Sequence, residues 1–71
     1  MNIFLVEDER WALAELAELF KRYEPQHQIF PFESGDEALT AAGVMHPHLV
    51  ITDITMPGMD GLELIEKLYQ L

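Results

Sequence analysis

Cysteine is absent, so neither a disulfide framework nor a thiolate metal site can hold this small chain together. Basic residues are scarce: Arg10, Lys21, Arg22 and Lys67 stand against thirteen acids, and the formal charge of −9 repels phosphate backbones and anionic lipid surfaces. A nucleic-acid-binding or membrane-bound role for this segment is thereby excluded. No apolar run approaches the roughly 20 residues a membrane span requires. The apolar start from Met1 to Val6 is too short for a signal-peptide core, lacks leading basic residues and runs directly into Glu7, Asp8 and Glu9. A cytoplasmic location is the expectation. Low-complexity segments and internal repeats are missing as well, and at 71 residues the chain is one domain at most. Domains of this size bury only roughly 60% of the surface their unfolded chain exposes, so stability is expected to be marginal and helped by oligomerisation or a further segment.

Apolar residues make up 49% of the chain, and their spacing gives six elements. Asn2 to Val6 is a continuous apolar run of strand length that ends in three acids. From Glu9 to about Tyr23, Leu13, Leu16, Leu19, Phe20 and Tyr23 recur at helical spacing between charged residues, and Pro25 closes that helix. His27 to Phe32 reads as a strand, confined to a sheet edge by Pro31, which has no amide proton to give to a ladder. Ser34 and Glu37 have the spacing of a capping box, and Ala38, Leu39 and Ala42 supply a short apolar face before Gly43. His48 to Ile54 is a second near-continuous apolar strand, broken only at its end by Asp53. Met56 to Gly61 is turn chemistry, after which Leu62, Leu64, Ile65 and Leu68 carry a third helix.

The order βαβαβα implies right-handed crossovers and a parallel sheet with helices on its faces, a doubly wound α/β fold. Ligands bind such sheets beyond the carboxyl ends of the strands. Glu7, Asp8 and Asp53 all fall at carboxyl ends, and parallel strands bring them into one crevice although 45 positions separate Asp8 from Asp53. Crowded carboxylates cost free energy unless a proton or cation intervenes, and an all-oxygen acidic pocket suits magnesium. Taken alone, Glu7, Asp8 and Glu9 are better explained as acids capping a helix N-terminus. Asp53 has no such capping duty, and a carboxylate ending a buried apolar strand is costly without partners. Glu15, Glu18, Glu24, Glu63 and Glu66 read as solvated helix faces. His46 and His48 flank Pro47, but no further His or Cys lies at a spacing that would complete a transition-metal shell. Trp11 reads as a packing or interface residue, and Met56 and Met59 as loop-packing residues.

The strand Phe4-Leu5-Val6 with its acids Glu7-Asp8-Glu9, the segment Leu49 to Gly61 (LVITDITMPGMDG) and the helix start Ser34 to Leu39 together resemble the receiver domains of two-component response regulators. The resemblance implies a flavodoxin-like sheet with strand order 2-1-3. It also implies that Asp53 is the phosphoacceptor for a sensor histidine kinase, and that Mg2+ is held by Glu7, Asp8, Asp53 and the backbone carbonyl of Thr55. Many members carry two aspartates where this chain has Glu7 and Asp8, and the longer Glu7 is expected to reach the ion through water. Such a domain is regulatory rather than an enzyme in its own right, and the parent protein is expected to carry a DNA-binding output domain.

The chain corresponds to the first three βα units, about three-fifths of the family's usual length. The hydroxyl residue and the lysine with which receivers grip the phosphoryl group fall outside it; Thr52, on the opposite strand face from Asp53, and Lys67, on the third helix, are not obvious substitutes. With order 2-1-3 the third strand is an edge, so self-association is expected, through that strand or through a partly uncovered Leu13, Leu16 and Phe20 side of the first helix. A second reading follows from the same features: a self-associating structural half-domain that keeps the acidic pocket but does not signal.

Overall fold

The computed structural model describes all 71 residues. Three strands, β1 (Asn2–Val6), β2 (Gln28–Phe32) and β3 (Leu49–Thr52), alternate with three helices, α1 (Arg10–Tyr23), α2 (Gly35–Ala42) and α3 (Gly61–Tyr69). All pairings are parallel, in the order β2-β1-β3, with Phe4 opposite Phe30 on one side and Val50 on the other. Both the fold class and the strand order agree with expectation. No helix is long and apolar enough to cross a membrane.

β1 lies at the centre, and it alone of the strands is fully buried on both faces: Ile3, Phe4, Leu5 and Val6 are all 2% exposed or less. Strand alternation divides them. Ile3 and Leu5 pack with Leu13 and Ala17 of α1, while Phe4 and Val6 pack with Ala38 and Ala42 of α2 and with Met56 and Leu64. Phe4 also meets the rings of Phe30 (6.0 Å between centroids) and Phe32 (4.8 Å), which ties the second layer to β2. Thus α1 covers one face of the sheet and α2 with α3 the other.

Local signals fix where the elements begin. The Ser34 hydroxyl accepts from the Glu37 amide at 3.2 Å and caps α2, as the capping-box spacing requires. Asp60 caps α3 in the same way, accepting from the Glu63 amide at 2.8 Å. Pro31 does sit in an edge strand, exposed at the fourth of the five residues of β2. His27 lies just outside that strand, and its Nδ1 is 3.0 Å from the N-terminal amine. His48 accepts from the Asn2 amide through Nδ1 at 2.9 Å and donates its own amide to the Asn2 carbonyl at 2.8 Å, so it closes the start of the β1–β3 ladder.

Two expectations are corrected. The first helix does not bury its whole apolar series: Leu13 is buried, Leu16 and Phe20 are half-buried, and Leu19 and Tyr23 are exposed. At 100° per residue, Ala17 completes the face begun by Leu13, which turns Leu19 and Tyr23 outward. Besides the half-buried Leu16 and Phe20, α1 leaves Trp11, Leu19 and Tyr23 uncovered. Secondly, β3 stops at Thr52 rather than Ile54. The Ile54 carbonyl accepts from the Gly61 amide at 2.9 Å, which draws the chain off the ladder toward α3.

Candidate functional site

The carboxyl end of β1 is tied to both neighbours. The Glu7 amide donates to the Phe32 carbonyl at 3.1 Å, and the Asp53 amide donates to the Val6 carbonyl at 3.0 Å. These two bonds deliver the residues following β1 and β3 to the same end of the sheet, in the crevice where ligands bind parallel α/β folds. The carboxylates of Glu7, Asp8 and Asp53 converge there, each offering an oxygen within 4.8 Å of the others. Glu7 is half-buried, and Asp8 and Asp53 are exposed.

Exposure of Asp53 changes the reason for expecting a partner. Its carboxylate lies beyond the end of β3 and is not buried, so desolvation is not what makes it costly. The crowding is. Three negative charges within 4.8 Å repel one another even in a water-like dielectric, and a divalent cation removes that repulsion. The donor set is also right for magnesium, which prefers hard oxygen ligands and keeps several waters. On an octahedral ion with bonds of about 2.1 Å, ligand oxygens stand about 3.0 Å apart when adjacent and about 4.2 Å apart when opposite. Oxygens within 4.8 Å of one another stand close to that spacing.

Glu7 does double duty. Its Oε2 accepts from the Glu9 amide at 2.9 Å, while Glu9, at the N-cap position of α1, makes no side-chain cap of its own. The capping explanation of the acidic triplet is thus correct for one oxygen of Glu7, and it fixes that carboxylate at the mouth of the crevice. Thr55 follows Asp53 by two residues in the same exposed turn. Thr52 turns its hydroxyl to the Asp53 carbonyl at 2.9 Å, and Lys67 pairs with Glu63 at 3.9 Å. Neither serves the carboxylate crevice.

The loop from Asp53 to Gly61 is shaped by close approach. A Cβ on Gly61 would lie 2.2 Å from the Asp53 carbonyl oxygen and 2.9 Å from the Ile54 Cα, so only glycine lets the start of α3 pass this near the end of β3. Gly58, at φ 72°, makes the turn in the left-handed region. Met56 is buried in the core and anchors the loop from beneath, and Met59 packs beside Gly35, where a Cβ would stand 3.1 Å from its sulfur. The structural parts of Asp60 and Gly61 were carried in the sequence only as members of a motif; the Asp60–Glu63 spacing was the available sign of a helix cap.

A family model for the response regulator receiver domain matches residues 3–71. The chain is 39% identical over 69 residues to the positive alginate biosynthesis regulatory protein of Pseudomonas aeruginosa, covering 96% of this chain and 28% of that protein. It is 40% identical over 67 residues to the uncharacterized transcriptional regulatory protein YesN of Bacillus subtilis, covering 93% of this chain and 18% of that one. Among solved structures, the N-terminal domain of a response regulator receiver protein from Methanoculleus marisnigri superposes with a TM-score of 0.83 at 30% identity, over 93% of this chain and 52% of that one. The chain therefore spans less than a third of these two regulators and about half of that receiver structure.

Proposed function

The chain belongs to the response regulator receiver domain family, a regulatory rather than catalytic family, and from that premise we propose that Asp53 is its phosphoacceptor. The observation that carries the reading is the convergence of Glu7, Asp8 and Asp53 within 4.8 Å at the carboxyl end of the sheet. In the reaction, an Asp53 carboxylate oxygen attacks the phosphorus of a phosphorylated histidine on a sensor kinase. The new O–P bond forms as the P–N bond breaks, and the electron pair of that bond leaves on the imidazole nitrogen, which takes up a proton. An acyl phosphate on Asp53 results.

Mg2+ is the cofactor this donor set fits, held by the carboxylates of Glu7, Asp8 and Asp53 and by the Thr55 carbonyl. When bound it supplies charge neutralisation for the transferring phosphoryl oxygens. The protein's own residues do the rest. The β1–β3 ladder, ending at Val6 and Thr52, brings Asp53 beside the acids that follow β1, the Glu9 amide orients Glu7, and Gly61 holds the loop close to the Asp53 backbone.

Its setting is a two-component system in the cytoplasm, where the parent protein couples phosphorylation to an output domain. Two of its relatives bear the names of a biosynthesis regulator and a transcriptional regulator, which supports a DNA-binding output. Incubation with Mg2+ and acetyl phosphate tests the acceptor: intact mass is expected to rise by one phosphoryl group in the wild-type chain and not in Asp53→Asn.

A further inference from the structure

The stretch that carries the Thr55 carbonyl is held in an unusual way. Before it, the Ile54 carbonyl accepts from the Gly61 amide at 2.9 Å, and after it the Asp60 carbonyl accepts from the Leu64 amide at 3.0 Å, but no backbone–backbone hydrogen bond reaches any residue from Thr55 to Met59. Asp53 differs, because its amide is still tied to the Val6 carbonyl at the end of the ladder. The place of Thr55 is therefore set by packing of its neighbours. Two side chains supply it: Met56, buried in the core, and Met59, half-buried against the start of α2.

The Met59 contact leaves no slack. A Cβ on Gly35 would stand 3.1 Å from the Met59 Sδ, 3.2 Å from its Cγ and 3.3 Å from its Cβ. Favourable contacts between such atoms are about 3.5–4.0 Å, so the thioether lies along bare backbone at the first residue of α2. Rotating the side chain would relieve Cγ and Sδ but not Cβ, whose place is fixed by the Met59 backbone. Any side chain at position 35 thus displaces the loop or α2. Conformation does not explain the glycine, since Gly58 is the one glycine at positive φ and a helix disfavours glycine against alanine. Room for Met59 does explain it.

We propose that Gly35 and Met59 are positioning residues of the phosphoacceptor site: Met59, seated on the first residue of α2, sets the height of the loop and with it the place of the Thr55 carbonyl around the ion shared by Glu7, Asp8 and Asp53. The inference rests on the reading of Asp53 and its metal given above. Ladder and loop divide the work. Asp53, held by the ladder, keeps its place when the seat is disturbed, whereas the Thr55 carbonyl, held only through Met56 and Met59, does not. The disturbance falls on affinity for the ion and spares the reactivity of Asp53 once the ion is bound. In this way α2 takes part in the site although none of the three clustered carboxylates belongs to it.

Titration calorimetry with Mg2+, and the initial rate of mass gain from acetyl phosphate at varied Mg2+, test the assignment. Gly35→Ala and Met59→Ala are each expected to raise the Mg2+ Kd, and the Mg2+ concentration for half-maximal rate, by about three- to tenfold. The rate at saturating Mg2+ is expected to stay within about twofold of wild type. Combining the two substitutions is expected to weaken binding no further than Met59→Ala alone, and Met59→Leu, which refills the seat, to keep the Kd near that of wild type. Ala17→Gly, which loosens α1 on the other face of the sheet, is expected to lower Tm and leave the Kd unchanged. Circular dichroism checks folding, and if Gly35→Ala does not fold, Met59→Ala decides. A folded Met59→Ala chain with the Kd of wild type, or an equal rise in Ala17→Gly, would overturn this inference while the Asp53 reading stands. A wild-type chain that neither binds Mg2+ nor gains a phosphoryl group would overturn both.

Discussion

Asp53→Asn is expected to stabilise the fold in the absence of divalent ions and to abolish its response to them. Asp53 takes part in two of the three carboxylate pairs, each with oxygens within 4.8 Å. Coulomb repulsion at that distance is about 0.9 kcal/mol per pair in water, and screening over a Debye length of about 8 Å lowers it to about 0.5. Because Asp8 and Asp53 are exposed, the screened water value is the appropriate one, and the substitution relieves at most about 1 kcal/mol in all. Little opposes this gain, since the hydrogen bonds through Asp53 involve its backbone amide and carbonyl, which asparagine retains. A domain of this size gains roughly 4–8 °C in Tm per kcal/mol, so thermal unfolding in chelator is expected several degrees higher for the variant. Added Mg2+ is then expected to reverse the order. The wild-type chain gains about 1.4 kcal/mol for each tenfold excess of ion over its Kd, while the variant, short of one carboxylate, gains much less. A variant less stable than wild type in chelator, or an equal magnesium response in both, would refute the view that these three carboxylates form one electrostatic unit.

Gly61→Ala would push a methyl group into the backbone of both Asp53 and Ile54, and a loss of at least about 2 kcal/mol by urea unfolding is expected. Asp60→Ala removes the cap of α3 and should cost about 1 kcal/mol in the same assay. Leu64→Ala, at a fully buried position, should cost about 2–5 kcal/mol, enough in so small a core to leave the chain largely unfolded by circular dichroism. Arg10→Ala breaks only a surface pair with Glu33, whose side chains are 84% and 46% exposed, and should change stability by less than about 0.5 kcal/mol.

The strands were legible because burial on both faces writes a continuous apolar run, and β1 occupies the same five residues that the run marked. The edge position of β2 followed from Pro31, and the start of α2 from Ser34 and Glu37, since both rest on hydrogen bonds made or refused by adjacent backbone. The end of β3 was not legible, because it is set by a bond from Gly61 to Ile54, across the loop. The outward turn of Leu19 and Tyr23 escaped for a similar reason: α1 buries Ala17, and alanine carries a weak signal beside leucine and tyrosine. At the site, the convergence of Glu7, Asp8 and Asp53 could be argued from topology, but the exposure of Asp53 and the bond from the Glu9 amide to Glu7 depend on how each strand terminates.

The assignment of Asp53 is tested most directly by intact mass after incubation with Mg2+ and acetyl phosphate, beside Asp53→Asn and a chelator control. One added phosphoryl group, absent from the variant and lost in chelator, is the expected result. A folded wild-type chain that gains no mass, or an Asp53→Asn chain that gains as much as wild type, would contradict it.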